Sequence, residues 1–523
     1  MRQKGASLDD KSVIKTPGRQ SVCPCRTLFV ALLPLHYAQE VYFTGNPARK
    51  PMRRFDAVLI GAGQAAPSLA VELAARGQHV AMIEGNMFGG TCVNFGCTPT
   101  KTLRKSARVA HMARRAVDFG VITGPVSVDF AAAMARVRAR VETSRSGLVQ
   151  WLEGTDNVET IHGWARFVGR DGERFLLEVN GETLSAAQVY LNTGTRAFIP
   201  SLPGLESVPY LDNASLLALT ECPKHLVILG ASYIGLELGQ IFRRLGAEVS
   251  IIHRADRIAE REDADVSEHI ADFLRDEGIT FYLNSSIKSL APAADGLSVQ
   301  LADGQEFSAS HLLIATGRQP NSERLNLEAV GIETDARGFI RTDAHFNTNV
   351  AGIKALGDIN GRGAFTHTSY HDFQIVLAEI DGQQPDGQWH DADRRVQSYA
   401  MFTDPPLGRV GITLAQAREL VKQGVQILVA DFNMADVSRA KEESETYGMM
   451  RLIVDAQSER FLGAAILGIG GDEIISVISN YMATGASYRQ MLQALPVHPT
   501  VAEFFPTVLA RLKPLMNATF GVV

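Results

Sequence analysis

Two cysteines five residues apart are the first residues here that could do chemistry. Cys92 and Cys97 lie in the run Gly89-Gly90-Thr91-Cys92-Val93-Asn94-Phe95-Gly96-Cys97-Thr98-Pro99-Thr100-Lys101. A helix expected over residues 102–115 puts the pair at a helix start, whose partial positive charge favours thiolate. Lys101 adds a full positive charge about one turn on. A low-pKa thiol pair is what electron transfer to a disulfide needs. Two blander readings compete. Half of a zinc site would need a second pair in the body of the chain, where the remaining cysteine, Cys222, stands alone and reads as structural. Inert buried cysteines would not need so glycine-rich a frame. Cys23-Pro-Cys25 offers two soft ligands without the others a metal site requires.

The elements that must position this pair come next. Residues 55–60 (FDAVLI) read as a buried parallel strand, followed by the turn Gly61-Ala62-Gly63-Gln64-Ala65-Ala66. In a G-x-G-x-x-A turn, the Gly61 position makes the tight bend and the Gly63 position admits a pyrophosphate. The small Ala66 lets helix and strand pack. A helix over 68–76 points its N-terminus at the phosphates. A strand over 79–83 then ends in Glu84, about 20 residues on, where a carboxylate holds ribose hydroxyls. The pattern recurs: a strand over 225–229, the turn Gly230-Ala231-Ser232-Tyr233-Ile234-Gly235, a helix over 236–245 and a strand over 248–252. His253-Arg254 follows this strand in place of an acid, with Arg257 and Arg261 close behind. Arginine there suits a 2′-phosphate, so NADPH is expected over NADH. Two nucleotide folds in one chain imply two cofactors, a flavin and the dinucleotide that delivers hydride to it.

Composition sets the frame. The chain has 523 residues, 46% hydrophobic and 21% charged, with a net charge of −6. That is ordinary globular usage, enough for several domains. The acidic balance disfavours nucleic acid or an anionic membrane as partner. Five cysteines make no disulfide scaffold. No apolar run reaches the roughly 18 residues of a spanning helix. The chain is expected to be cytoplasmic. Residues 1–51, lysine-bearing and without apolar periodicity, are expected to be a disordered leader or sequence upstream of a natural start at Met52.

Taken together, these residues resemble the class I pyridine nucleotide-disulfide oxidoreductases, which include glutathione reductase, lipoamide dehydrogenase and mercuric reductase. The resemblance runs from about Met52 to the C-terminus. Asn192-Thr193-Gly194 and Ala315-Thr316-Gly317-Arg318-Gln319-Pro320-Asn321 look like the segments closing the two nucleotide folds. Ala355-Leu356-Gly357-Asp358 looks like the second flavin motif, and Val497-His498-Pro499-Thr500-Val501-Ala502-Glu503 like the C-terminal catalytic motif. The resemblance implies an α/β fold: two Rossmann-like dinucleotide-binding domains, for FAD and NAD(P), and a C-terminal α+β dimerisation domain. The expected boundaries are 52–198 and 321–396 for the FAD-binding parts, 199–320 for the NADPH-binding domain and 397–523 for dimerisation.

It also implies roles. Cys97 is the thiol beside the flavin and Cys92 the thiol that exchanges with substrate. Lys101 and Glu237 form an ion pair near the flavin. His498, oriented by Glu503, serves as acid–base for Cys92 in the other subunit of a homodimer. FAD would meet Gly61, Gly63, Ala66, Glu84, Gly90, Thr91, Lys101, Ala165, Thr193, Gly194 and Asp358. NADPH would meet Gly230, Ser232, Tyr233, Ile234, Gly235, Glu237, Arg254 and Gly317, with Tyr233 swinging aside to admit it. No resident metal is expected.

The sequence also departs from its relatives. Arg254 replaces the acid of NAD-preferring lipoamide dehydrogenases. No cysteine follows Cys222, so the C-terminal pair of mercuric reductases is missing. The expected function is therefore an FAD-dependent NADPH reductase of a small-molecule disulfide or other acceptor. The alternatives are a mercuric reductase-like enzyme without the tail pair, a lipoamide dehydrogenase-type enzyme, or a flavin-bound redox sensor. The segment 365–372 carries His367, Tyr370 and His371. It reads either as a substrate-pocket wall or as a helix start packed under the flavin.

Overall fold

In the computed structural model of the chain, residues 52–383 and 391–515 are described. The chain divides into two units, residues 1–50 and 51–523, and all described residues belong to the second. The expected leader at 1–51 lies outside the described residues.

Buried β-branched and aliphatic runs build the first sheet. Val158–His162, Val80–Glu84, Arg53–Ile60 and Glu182–Leu191 lie side by side in parallel, and Ile353–Ala355 pairs in parallel with Glu182–Leu191. The hairpin Arg166–Asp171 and Arg174–Val179 continues the sheet antiparallel. The second sheet is parallel throughout, in the order Ile279–Tyr282, Glu248–Ile252, His225–Leu229, His311–Ile314, Tyr210–Leu211. Each glycine turn leaves the carboxyl end of a strand inside its sheet, where such folds bind ligands. The C-terminal part is a six-stranded antiparallel sheet, Ser398–Met401, Leu407–Gly411, Phe461–Leu467, Met449–Asp455, Ile427–Asn433 and Lys513–Pro514. Helix Gly471–Thr484 packs on it. The α/β class with two Rossmann-like folds and a C-terminal α+β domain is the fold observed.

Local differences have physical causes. The expected single strand over 399–410 is two strands, because Pro405 and Pro406 cannot donate to a ladder. The helix expected from residue 102 is Cys97–Arg114, with Pro99 in the first turn, where a missing N–H costs no hydrogen bond. The helices expected from residues 68 and 236 begin at Ala66 and Tyr233.

One core holds the site together. Leu103 and Ala107 of Cys97–Arg114 pack with Leu236, Ile241 and Phe242 of helix Tyr233–Leu245, and with Met401, Leu407 and Leu467 of the C-terminal sheet. Full burial of each large side chain contributes about 2 kcal/mol. The dithiol helix is thus fixed to both neighbouring parts of the molecule. Among the described residues, no helix is long and apolar enough to cross a membrane.

Candidate active site

The dithiol stands on two consecutive helices. Cys92 is half-buried on the short helix Gly90–Asn94, and the exposed Cys97 is the first residue of Cys97–Arg114. Glycines are required in the approach: Gly89 and Gly90 have φ of +94° and +57°, and a Cβ on Gly90 would lie 3.1 Å from the Gly63 Cα. Asn94 ties this loop by donating to the carbonyls of Gly90 and Phe88 at 2.9 and 3.0 Å. Both thiols are free. The hydrogen bond from Cys92 brings the Cys97 thiol down to about 6, against the opposing effect of burial and with help from Thr366 and Lys101. The same hydrogen bond, with burial, pushes Cys92 well up. Thr366 Oγ1 lies 3.3 Å from the Cys97 sulfur.

Lys101 and Glu237 meet as expected, Nζ to Oε2 at 2.8 Å. Glu237 is buried and its other oxygen accepts from the Phe402 backbone N–H at 2.8 Å. The Lys101 ammonium also sits 4.2 Å from the Phe402 ring centroid. Three sequence-distant elements therefore converge one turn from Cys97.

The first glycine turn fits a flavin dinucleotide. Gly61 has φ +91°, and a Cβ there would lie 2.5 Å from the Asn192 carbonyl oxygen. A Cβ on Gly63 would lie 2.6 Å from Asn192 Oδ1. Glu84 accepts from the Ala62 and Asn86 N–H groups at 2.8 and 2.7 Å, so its carboxylate is held at the turn. Burial raises the Glu84 pKa, opposed by those same donors. Ala66 and Ala165 are buried, and Thr91 is exposed at the dithiol loop. The hydroxyl of Thr193 is buried without a hydrogen-bond partner among the described residues, as a cofactor-facing group would be. Asp358 accepts from Thr195 at 2.9 Å and lies 3.9 Å from Arg318. Burial raises its pKa against that arginine. Gly194, with φ +64°, opens onto free space.

The second turn is equally tight. Gly230 has φ +112°, and Cβ atoms on Gly230 and Gly235 would lie 2.4 and 2.1 Å from the carbonyl oxygens of Ala315 and Gly230. Ser232 is exposed at the position before the helix, where its side chain makes no capping hydrogen bond, while Tyr233 and Ile234 are half-buried behind it. Gly317, with φ +149°, has nothing within 4 Å. Arg254 is exposed beyond the strand Glu248–Ile252. At the same corner His253 lies 3.4 Å from Glu260, and Arg257 donates to the Glu260 carbonyl. Arg261 is within electrostatic reach of Tyr233 and Tyr399.

His498 and Glu503 pair at 2.8 Å. The His498 side chain is 77% exposed. Among the described residues it makes no hydrogen bond or ion pair to the dithiol, so one chain does not bring it to Cys92.

Sequence reasoning missed Asn192 as a structural clamp and Thr366 as a neighbour of Cys97. Asn192 donates to the Leu356 carbonyl at 2.7 Å and accepts from Ala66 N–H. Thr366 lies in the segment 365–372 singled out for its histidines. That segment is the start of helix Thr366–Ile380.

A dithiol backed by the Lys101–Glu237 ion pair, together with two dinucleotide-type glycine turns, has the parts of a flavin- and nucleotide-dependent disulfide oxidoreductase. The chain belongs to the pyridine nucleotide-disulphide oxidoreductase family, matching it over residues 55–372 and its dimerisation domain over residues 397–509. It is 34% identical over 470 residues to the probable pyridine nucleotide-disulfide oxidoreductase RclA of Escherichia coli (strain K12), covering 88% of this chain and 100% of that one. Mercuric reductase of Streptomyces lividans is 32% identical, covering 86% of this chain and 94% of its own. Dihydrolipoyl dehydrogenase of Bacillus subtilis is 31% identical over the same shares. Among solved structures, the HOCl-induced flavoprotein disulfide reductase RclA from Escherichia coli superposes with a TM-score of 0.78 at 33% identity, covering 87% of this chain and 99% of that one.

Proposed function

We propose that the chain is an FAD-dependent NADPH reductase that works as a homodimer in the cytoplasm and passes electrons through the Cys92–Cys97 disulfide to a small-molecule acceptor. The observation that carries this is the thiol pair itself, set on two successive helices with Thr366 Oγ1 at 3.3 Å from the Cys97 sulfur and the Lys101–Glu237 pair one turn on. FAD, when bound, supplies two-electron transfer between the nicotinamide and the disulfide. Gly61, Gly63, Glu84, Thr193 and Asp358 would hold it. Gly230, Ser232 and Gly235 would hold the pyrophosphate of the nucleotide.

The chain's own residues do the rest. Lys101 keeps a positive charge near Cys97, and Glu237 fixes where that charge sits. Cys92, the thiol with the raised pKa, needs a base before it can attack an acceptor. His498, oriented by Glu503 and contributed from the second subunit, takes that proton and returns it to the leaving thiol. Arg254 supports NADPH over NADH, while Glu260 puts an acid at the same corner.

Steady-state turnover tests the reading. NADPH consumption should depend on an added disulfide, and Cys92→Ser should abolish it while leaving reduction of a direct flavin oxidant such as ferricyanide. Arg254→Glu should lower the NADPH-to-NADH ratio of kcat/KM about tenfold or more. Disulfide reduction that survives Cys92→Ser would contradict the assignment.

A second reading has its own support. A thiol pair is also a soft metal ligand, mercuric reductases are among the relatives, and RclA has been solved as a Cu(II) complex. Hg²⁺ and Cu²⁺ therefore belong in the same acceptor screen.

A further inference from the structure

Cys97 has a neighbour that no motif announces. Thr366, 269 residues along the chain, brings its hydroxyl oxygen to 3.3 Å from the Cys97 sulfur. A single hydrogen is shared across that contact when the sulfur is a thiol. When the sulfur is a thiolate, the hydroxyl is the only donor of the two.

The hydroxyl is delivered there by construction. Thr366 opens the 15-residue helix Thr366–Ile380, and Phe365 before it is held on several sides. The Phe365 ring stacks on Tyr399 at 5.4 Å and 2°, and on His367 at 5.6 Å and 12°. Tyr233 leans against it at 5.9 Å. His367 Nε2 meets the Ser398 carbonyl at 2.7 Å, and the Tyr399 hydroxyl bonds the buried Glu262. The helix start is therefore anchored to the C-terminal strand Ser398–Met401 and, through Tyr399, to the segment after strand Glu248–Ile252 of the second nucleotide fold. Cys97 opens its own helix, and Thr366 opens the other.

The charged groups around Cys97 leave a role for a neutral donor. The charged groups are Lys101 on its own helix and Glu237 on Tyr233–Leu245, while Cys92 faces it from Gly90–Asn94 as a neutral thiol. Lys101 is paired with Glu237 at 2.8 Å, so the carboxylate offsets much of the ammonium's attraction for a thiolate. The Thr366 hydroxyl carries no such counter-charge.

We propose that Thr366 is the positioning residue that holds Cys97 as a thiolate by donating a hydrogen bond to its sulfur. This rests on the reading of Cys97 as the thiol beside the flavin, and the test separates the two.

The test uses the flavin-loaded dimer in a Cys92→Ser background, where Cys97 is the remaining thiol of the pair. Two pH titrations are run. One follows the long-wavelength absorbance of a thiolate beside oxidised flavin. The other follows alkylation of Cys97 by iodoacetamide, site-assigned by mass spectrometry. Thr366→Val, which keeps the shape and loses the hydroxyl, should raise the midpoint by about one pH unit, a tenfold loss of thiolate at fixed low pH. Thr366→Ser should restore the parent midpoint. If Thr366→Val does not fold, Thr366→Ala against Thr366→Ser gives the same comparison. A midpoint indifferent to the hydroxyl in both titrations overturns the proposal. A hydroxyl-dependent alkylation midpoint without any long-wavelength band upholds it and overturns the flavin-side reading of Cys97.

Discussion

Glu237 shows how much a single residue carries here. It is a buried carboxylate with two partners, the Lys101 ammonium and the Phe402 N–H. Removing one member of a buried pair strands the other, which costs 3–5 kcal/mol when both are fully buried. Lys101 is about one-third exposed, which lowers the expected cost of Lys101→Met to about 2 kcal/mol. Urea unfolding of the two proteins should show that loss, and Glu237→Gln with Lys101→Met should recover part of it. Cys92, Cys97 and Lys101 were legible because their spacing along the chain carries their chemistry, whereas His498 and Glu503 were read through the family resemblance. Glu237 was legible through the family resemblance. Thr366 and Asn192 were not, because each acts across more than a hundred residues and neither has a local pattern.

At the scale of elements, a buried ionic network fastens the dithiol helix to its surroundings. Arg244 of Tyr233–Leu245 bonds Glu277 and Asp404, Arg108 of Cys97–Arg114 bonds Asp404 and Glu445, and Gln240 exchanges hydrogen bonds with the Asp404 backbone. Burial would raise the Asp404 pKa, but the charges of Arg244 and Arg108 outweigh it and hold the carboxyl below its ordinary value. A depressed acid contributes stability above its unfolded pKa of about 3.9, lost as pH falls through the folded value. Asp404→Asn should therefore cost about 3 kcal/mol at pH 7, and the gap to wild type should narrow as the pH falls from the ordinary carboxyl value of about 3.9 downward. An unchanged gap across that range would place the effect in packing instead. The glycine turns and their flanking strands were legible because each has a local period and local punctuation. The strand Phe461–Leu467 (FLGAAIL) was not recognised, since a short apolar run reads equally as buried helix or strand. The break at Pro405 was written in the sequence, but the apolar run across it masked it.

For the whole molecule, the exposure of the His498–Glu503 pair is the telling fact. A family dimerisation domain spans residues 397–509, and His498 lies within it. If each site takes Cys92 from one subunit and His498 from the other, two inactive variants should complement. Cys92→Ser and His498→Ala homodimers should each lose at least a hundredfold in disulfide turnover. A heterodimer of the two regains one intact site, about half the wild-type rate per dimer. No recovery on subunit exchange would place His498 outside the site. On this mechanism electrons reach Cys97. An anaerobic NADPH titration of the flavin-loaded protein, wild type beside Cys97→Ser, tests that claim most directly. A long-wavelength absorbance band should appear on addition of one equivalent in wild type and be absent in Cys97→Ser. Simple bleaching of the flavin in both proteins would contradict it.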